Sequence, residues 1–139
     1  MTYRYLNLPT VPENLILPVS QTLELENIFG GETDNYTIHE VQDELREYLQ
    51  ALFPDYTKFR YQTLKQQVPV HKDRGRTKAI NYIIHNGGAD VRTVWYEEDY
   101  TTPTHDVKLM SRRWHELDVD TYHSVIGITG LRYAITVAK

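Results

Sequence analysis

Cysteine is absent from this chain. Its absence excludes disulfides, thiolate zinc sites, iron–sulfur clusters and a thiol nucleophile, and it gives no support to secretion. No apolar run approaches the ~20 residues needed to span a bilayer, so no membrane partner is expected. The opening segment Met-Thr-Tyr-Arg-Tyr-Leu lacks the apolar stretch of a signal peptide, which makes a cytoplasmic protein the expectation. Excess positive charge is missing too. Lys plus Arg number 15 against 19 Asp plus Glu, a formal net charge of −4. That balance argues against a protein that coats nucleic acid or an anionic membrane. What is present is a chain of 139 residues, 40% of them hydrophobic, with six histidines and 11 tyrosines. One domain (1–139) around one core is expected, and any metal or acid–base chemistry falls to His, Asp and Glu.

Pro9, Pro12 and Pro18 suppress long regular elements near the start, leaving turns and one strand expected at Asn14–Val19. A further turn is expected at Gly30-Gly31 and the polar Glu32–Asn35. Ile38, Val41, Leu45, Leu49 and Leu52 recur at helical steps, which predicts a helix over about 37–53. Thr37 and Glu40 have the spacing of a capping box, and Pro54 closes the segment. Residues 1–55 thus form an N-terminal support region. From residue 56 the pattern turns β-like, with runs at Thr57–Val70, Lys78–His85, Val91–Tyr96, Arg113–Val119, Tyr122–Ile128 and Leu131–Ala138. Strand follows strand without room for crossover helices, so the sheets should be antiparallel. Two sheets folded over each other, with a helix packed outside, close such a chain. The polar, Pro103-containing stretch Glu97–His105 reads as a loop, and Glu97–Thr104 within it is the candidate lid.

His71 and Asp73, two apart on an extended segment, point to the same face and can chelate one ion. His123 supplies a third ligand, and two histidines plus one carboxylate form the arrangement that leaves open positions on non-haem Fe(II). Arg132 stands nine residues later on a mostly apolar strand, sharing a face with Ala134 and Thr136. A guanidinium there needs a planar, bidentate partner such as a carboxylate. That partner is either a ligand or an internal residue such as Asp118 or Asp120. If the runs Tyr122–Ile128 and Leu131–Ala138 pair as a hairpin, Arg132 lies near His123.

The ordered set His71-X-Asp73, His123 and Arg132 resembles the iron(II)- and 2-oxoglutarate-dependent dioxygenases. Its context is "VPVHKDRGRTKAINYII", "GGADVRTVWYEE" and "YHSVIGITGLRYAITV". Compact prolyl-hydroxylase-like and phage-encoded members are the most similar, over roughly residues 56–138. The resemblance implies a mainly β fold with one or two helices, a double-stranded β-helix (the cupin-like jelly roll). It also implies Fe(II) on His71, Asp73 and His123, with 2-oxoglutarate and O2 as cosubstrates. The distal carboxylate of 2-oxoglutarate would sit on Arg132, helped by Tyr82 or Asn81. These two are adjacent, so one points inward, and Tyr82 is the expected one. The implied reaction is oxidation, as a hydroxylase, of an unidentified substrate: a protein side chain, a nucleobase or a small metabolite.

Two other readings stand beside it: a cupin-like metal-binding or isomerase protein, and a non-catalytic viral β-barrel interaction module. A viral member would work in the host cytoplasm, and exposed sheet edges allow a homodimer. Arg76, Trp95 and His105 are candidate substrate contacts. Trp95, Tyr96, Tyr100 and Trp114 together make a candidate aromatic wall. The run Lys72–Lys78 sets four cations beside the proposed metal, which suits either an anionic substrate or a solvated loop. His39, His85 and His115 are assigned to the surface, a turn and sheet packing.

Overall fold

The computed structural model describes residues 2–27 and 36–139. The turn expected over Gly30–Asn35 lies outside the described residues. Among the described residues, eleven strands form two antiparallel sheets. In chain order they are β1 (Tyr3–Tyr5), β2 (Glu24–Asn27), β3 (Tyr36–Glu40), β4 (Lys58–Leu64), β5 (Val68–His71) and β6 (Lys78–His85). β7 (Arg92–Tyr96), β8 (Pro103–Val107), β9 (Trp114–Asp118), β10 (His123–Ile126) and β11 (Arg132–Ala138) complete the set. The larger sheet has the order β1-β9-β6-β11-β4-β3-β2 and the smaller β5-β10-β7-β8. From β4 to β11 the chain alternates between the two sheets, except that β7 and β8 are a hairpin. This winding is a double-stranded β-helix, and β1, β2 and β3 widen its larger sheet.

One helix, α1 (Asp43–Leu52), packs on the outer face of that sheet. Leu45 and Leu49 are fully buried against Phe59, Tyr61, Ile135 and Trp114. The expected helix over 37–53 is therefore six residues too long at its start. Residues 36–40 instead pair with β4, Ile38 opposite Gln62. Thr37 caps nothing; its side chain is buried in the sheet, bonded to those of His39 and Thr63. Pairing along the sheet outweighs a helical spacing that Ile38 satisfies by coincidence. Gln42 takes the N-cap position, and its amide binds the Leu15 carbonyl at 2.6 Å rather than the helix.

Three other expectations change. The strand expected at Asn14–Val19 is replaced by 3-10 turns at Glu13–Leu15 and Val19–Gln21, each directly after a proline. The loop expected at Glu97–His105 gives way at Pro103 to β8, an edge strand exposed on both faces that runs on to Val107. It has no apolar alternation to read, and its leading Pro103 is tolerated at an edge. The expected hairpin of β10 with β11 does not form: β10 lies between β5 and β7, and β11 between β6 and β4.

The core outside the larger sheet depends on α1. Leu49→Ala is expected to destabilise the protein by about 2–5 kcal/mol, as for other buried Leu truncations. A urea titration against the unaltered protein checks this.

Candidate metal centre and its cavity

Between the inner faces of the sheets lies a cavity of about 280 Å3. Antiparallel pairing sets His71 of β5 directly opposite His123 of β10, with ring centroids 4.3 Å apart. Asp73 follows two residues later, held by its N–H to the Val119 carbonyl at 2.8 Å. Asp73 Oδ1 lies 3.3 Å from His71 Nε2 and 3.5 Å from His123 Nε2. One donor atom from each of the three residues falls within 4.8 Å of the others, the spacing of a shared metal ion.

Backbone carbonyls set the imidazole tautomers. His71 Nδ1–H donates to the Pro69 carbonyl at 2.8 Å, and His123 Nδ1–H to that of Thr121 at 2.7 Å. Each acceptor is two residues before its histidine. Both Nε2 atoms are thereby left facing Asp73, where each either donates a proton to the carboxylate or, without that proton, offers its lone pair to a metal. Arg76 binds the other carboxylate oxygen, Oδ2, with Nε at 2.9 Å and Nη2 at 2.8 Å. Oδ1 alone is thus turned toward the histidines. Burial opposes the charge of Asp73, but hydrogen bonds from His123, His71 and Arg76 prevail and hold its carboxyl far below the usual range. The donor set of two imidazole nitrogens and one carboxylate oxygen fits Fe(II).

Arg132 reaches the same cavity from the start of β11 and is 6% exposed. Its Nε donates to the Asn86 carbonyl at 3.2 Å, while Nη2 has no hydrogen-bond partner. Among the described residues it has no ion pair; Asp118 is taken by Lys78 instead. Burial pushes the guanidinium down to about 10. Gly87, at φ +88°, lets the β6–β7 turn lie against this strand, since a Cβ there would sit 2.9 Å from the Arg132 nitrogen.

Asn81 and His115 are cross-strand partners on β6 and β9 and line the cavity with Arg132. Asn81 Oδ1 is buried without a partner among the described residues, and the backbone of Arg113 is the hydrogen-bonding group that bears on His115. Burial, opposed by a hydrogen bond to the Arg113 backbone and reinforced by the nearby Arg132 charge, pushes the His115 imidazole from 6.5 down to about 4. It is neutral at ordinary pH. Tyr36 and Gln62 also line the cavity and hydrogen-bond to each other.

Several expected contacts lie elsewhere. Tyr82 points to the opposite face, into the core beneath α1, where its hydroxyl accepts the Val11 N–H at 3.1 Å. Parity along β6 gives the cavity to Asn81. Trp95 is fully buried, stacked on Tyr3, with its indole N–H donating to the Asp118 carbonyl at 3.0 Å. His105 is exposed on β8 and beside Thr104. Neither residue lines the cavity, nor do Tyr96, Tyr100, Trp114 or the stretch 97–104 once expected as a lid. Of the expected substrate contacts, Arg76 alone is in the cavity wall. His39 is buried between Thr22 and Thr37, not solvated. Tyr36, Gln62 and His115 were not expected in the site. Alternation about Trp114, which packs on Phe53 and Tyr82, is the signal that turns His115 inward.

No protein-family model matches the sequence, and no curated protein matches it. Solved structures do resemble the fold. An oxidoreductase of the 2OG-Fe(II) oxygenase family from Burkholderia pseudomallei superposes with TM-score 0.61 at 7% identity, over 85% of this chain and 71% of that one. Fe(II)-HppE with the alternative substrate (S)-1-HPP gives TM-score 0.52 at 13% identity, over 89% of this chain and 59% of that one. A predicted oxalate decarboxylase from Thermotoga maritima gives 0.45 at 18% identity, over 88% and 97%. The strand order above and the first two superpositions define the class of fold: the double-stranded β-helix, or jelly roll.

Two outcomes are expected. Arg76→Ala should weaken divalent metal binding about 10–100-fold by calorimetry, because it frees the carboxylate that Arg76 orients. His115 binds a proton below pH 6.5 when unfolded but only near pH 4 when folded. Folding stability should therefore fall as pH drops across that interval, by up to about 3 kcal/mol, and His115→Gln should remove that part of the slope. Urea titrations at either end of the interval measure it.

Proposed function

We propose that this protein is an Fe(II)- and 2-oxoglutarate-dependent oxygenase of the double-stranded β-helix superfamily, acting as a hydroxylase. The observation that carries the proposal is a buried guanidinium without an internal counter-charge, in the same cavity as a two-histidine, one-carboxylate cluster. An isolated buried charge costs several kcal/mol, and an anionic ligand offsets that cost. A dicarboxylate suits both ends of the cavity, one carboxylate at the metal and the other at Arg132. Leu64, Ile83, Leu117, Val125 and Ala134 offer an apolar wall for the carbons between.

In this reading His71 Nε2, Asp73 Oδ1 and His123 Nε2 hold the iron. Iron with 2-oxoglutarate and O2 supplies the oxidising chemistry, in which decarboxylation to succinate and CO2 is coupled to oxidation of the substrate. The chain's own residues bind and orient. Arg132 fixes the distal carboxylate through Nη2. His115, neutral at working pH, and Asn81 complete the polar floor in the place expected for Tyr82. Arg76 occupies Oδ2 of Asp73, so a single carboxylate oxygen would be offered to the iron, as suits a site that must also admit a cosubstrate. The cupin-like metal-protein reading gives Arg132 no task, and a non-catalytic barrel gives none to the oriented imidazoles.

With Fe(II) present and O2 excluded, 2-oxoglutarate should bind stoichiometrically by calorimetry; with O2 admitted, slow succinate formation should follow even without substrate. Arg132→Met should weaken 2-oxoglutarate binding by roughly 30- to 5,000-fold, the 2–5 kcal/mol typical of removing one partner of a buried charge pair. The same variant should leave the ligand-free protein at least as stable as before. Failure of the unaltered, iron-loaded protein to bind 2-oxoglutarate would refute the proposal.

A further inference from the structure

On the helix side of the larger sheet lies a second cleft, of about 590 Å3. Ile80 and Val137, both members of the core beneath α1, form part of its floor. The segment 74–77 separates it from the metal cavity, and Arg76 lines both spaces. Its other cations converge from four places in the chain: Lys58 starts β4, Arg74 precedes β6, Lys78 starts β6 and Lys139 follows β11. Register explains part of the convergence, because Lys58 pairs with Ala138 and so adjoins Lys139.

The acids nearby bear on Lys78, which Asp118, Glu116 and Asp120, the last without an ion pair among the described residues, all offset; two of them are also held by direct ion pairs. Glu116, the one carboxylate side chain in the lining, binds Arg4 at 3.0 Å. Asp118 takes Lys78, and Asp73 takes Arg76. Lys58, Arg74 and Lys139 are exposed and have no ion pair among the described residues. Three uncompensated cations around one concave surface concentrate positive potential, on a chain whose net charge is −4. Such a site matches a group that carries more than one negative charge and several acceptor oxygens. Phosphate is that group, whereas a single carboxylate needs only one of these cations. Tyr56, with Lys139 Nζ 5.5 Å from its ring centroid, adds an aromatic wall.

We propose that this cleft is a phosphate-binding site which anchors the charged part of the substrate beside the metal cavity. The anchoring role rests on the oxygenase reading above; phosphate binding does not. Two sources of phosphate fit, a phosphodiester chain and a small phosphorylated molecule, and two probes separate them. Fluorescence anisotropy with a labelled oligothymidylate of about ten nucleotides reads the first. Calorimetry with inorganic pyrophosphate reads the second.

If the oligonucleotide binds, three phosphate contacts predict a slope of log K against log salt of about −2. Each of Lys58→Gln, Arg74→Gln and Lys139→Gln should reduce that slope by about 0.7. If pyrophosphate alone binds, and the triple variant abolishes it, the site serves a small phosphorylated molecule. In both cases the triple variant should bind 2-oxoglutarate and iron as the unaltered protein does. Binding of neither probe at low salt overturns the proposal, as does binding that the triple variant leaves unchanged or a preference for polyglutamate over both probes. A protein that binds phosphate here yet ignores 2-oxoglutarate would overturn the oxygenase reading alone.

Discussion

The buried guanidinium of Arg132 is the constraint around which the cavity is arranged. Nothing among the described acidic residues neutralises it, and the turn at Gly87 presses on its backbone while Asn86 accepts only Nε. A charge in that position is stable in the protein only at a cost that a bound anion offsets. Its neighbours fit the same logic. Burial keeps His115 neutral, so no second positive charge competes with Arg132 for the anion. Asn81 adds polarity without charge.

At the other end of the cavity the geometry is set by backbone, not by long side chains. Direct opposition of His71 and His123 across β5 and β10 brings the imidazoles together. The Pro69 and Thr121 carbonyls, each two residues upstream, set both tautomers by the same local device. Arg76 then determines which oxygen of Asp73 is presented. The candidate ligands are thus oriented by hydrogen bonds to backbone and to Arg76 that exist without an ion, which is what a preformed metal site needs.

Much of this was legible in the sequence, for physical reasons that differ by residue. His71 and Asp73 are readable because a two-residue period places both on one face of a strand. Arg132 is conspicuous because a guanidinium on an apolar strand demands an explanation. The choice between Asn81 and Tyr82 turned on strand parity, and an aromatic hydroxyl was the more attractive but wrong guess. Tyr82 is needed under α1, where Val11 uses its hydroxyl. β3 was hidden because Ile38 continues a helical period by chance, and β8 because an edge strand exposed on both faces leaves no pattern. Trp95 and His105 share one lesson: residues near the candidate metal ligands in sequence or in sheet order still face away from the cavity when packing or an edge position claims them. His115 was missed because its inward direction depends on Trp114 being claimed by the helix side.

The central claim is that one cavity holds a metal at His71, Asp73 and His123 and a dicarboxylate between that metal and Arg132. A crystal structure of the protein grown without O2, with Fe(II) and 2-oxoglutarate, tests it most directly. The account predicts iron on His71 Nε2, Asp73 Oδ1 and His123 Nε2, and the distal carboxylate on Arg132 Nη2 beside Asn81 and His115. Iron at another set of residues, or a cavity empty of 2-oxoglutarate with Arg132 unpartnered, would contradict it.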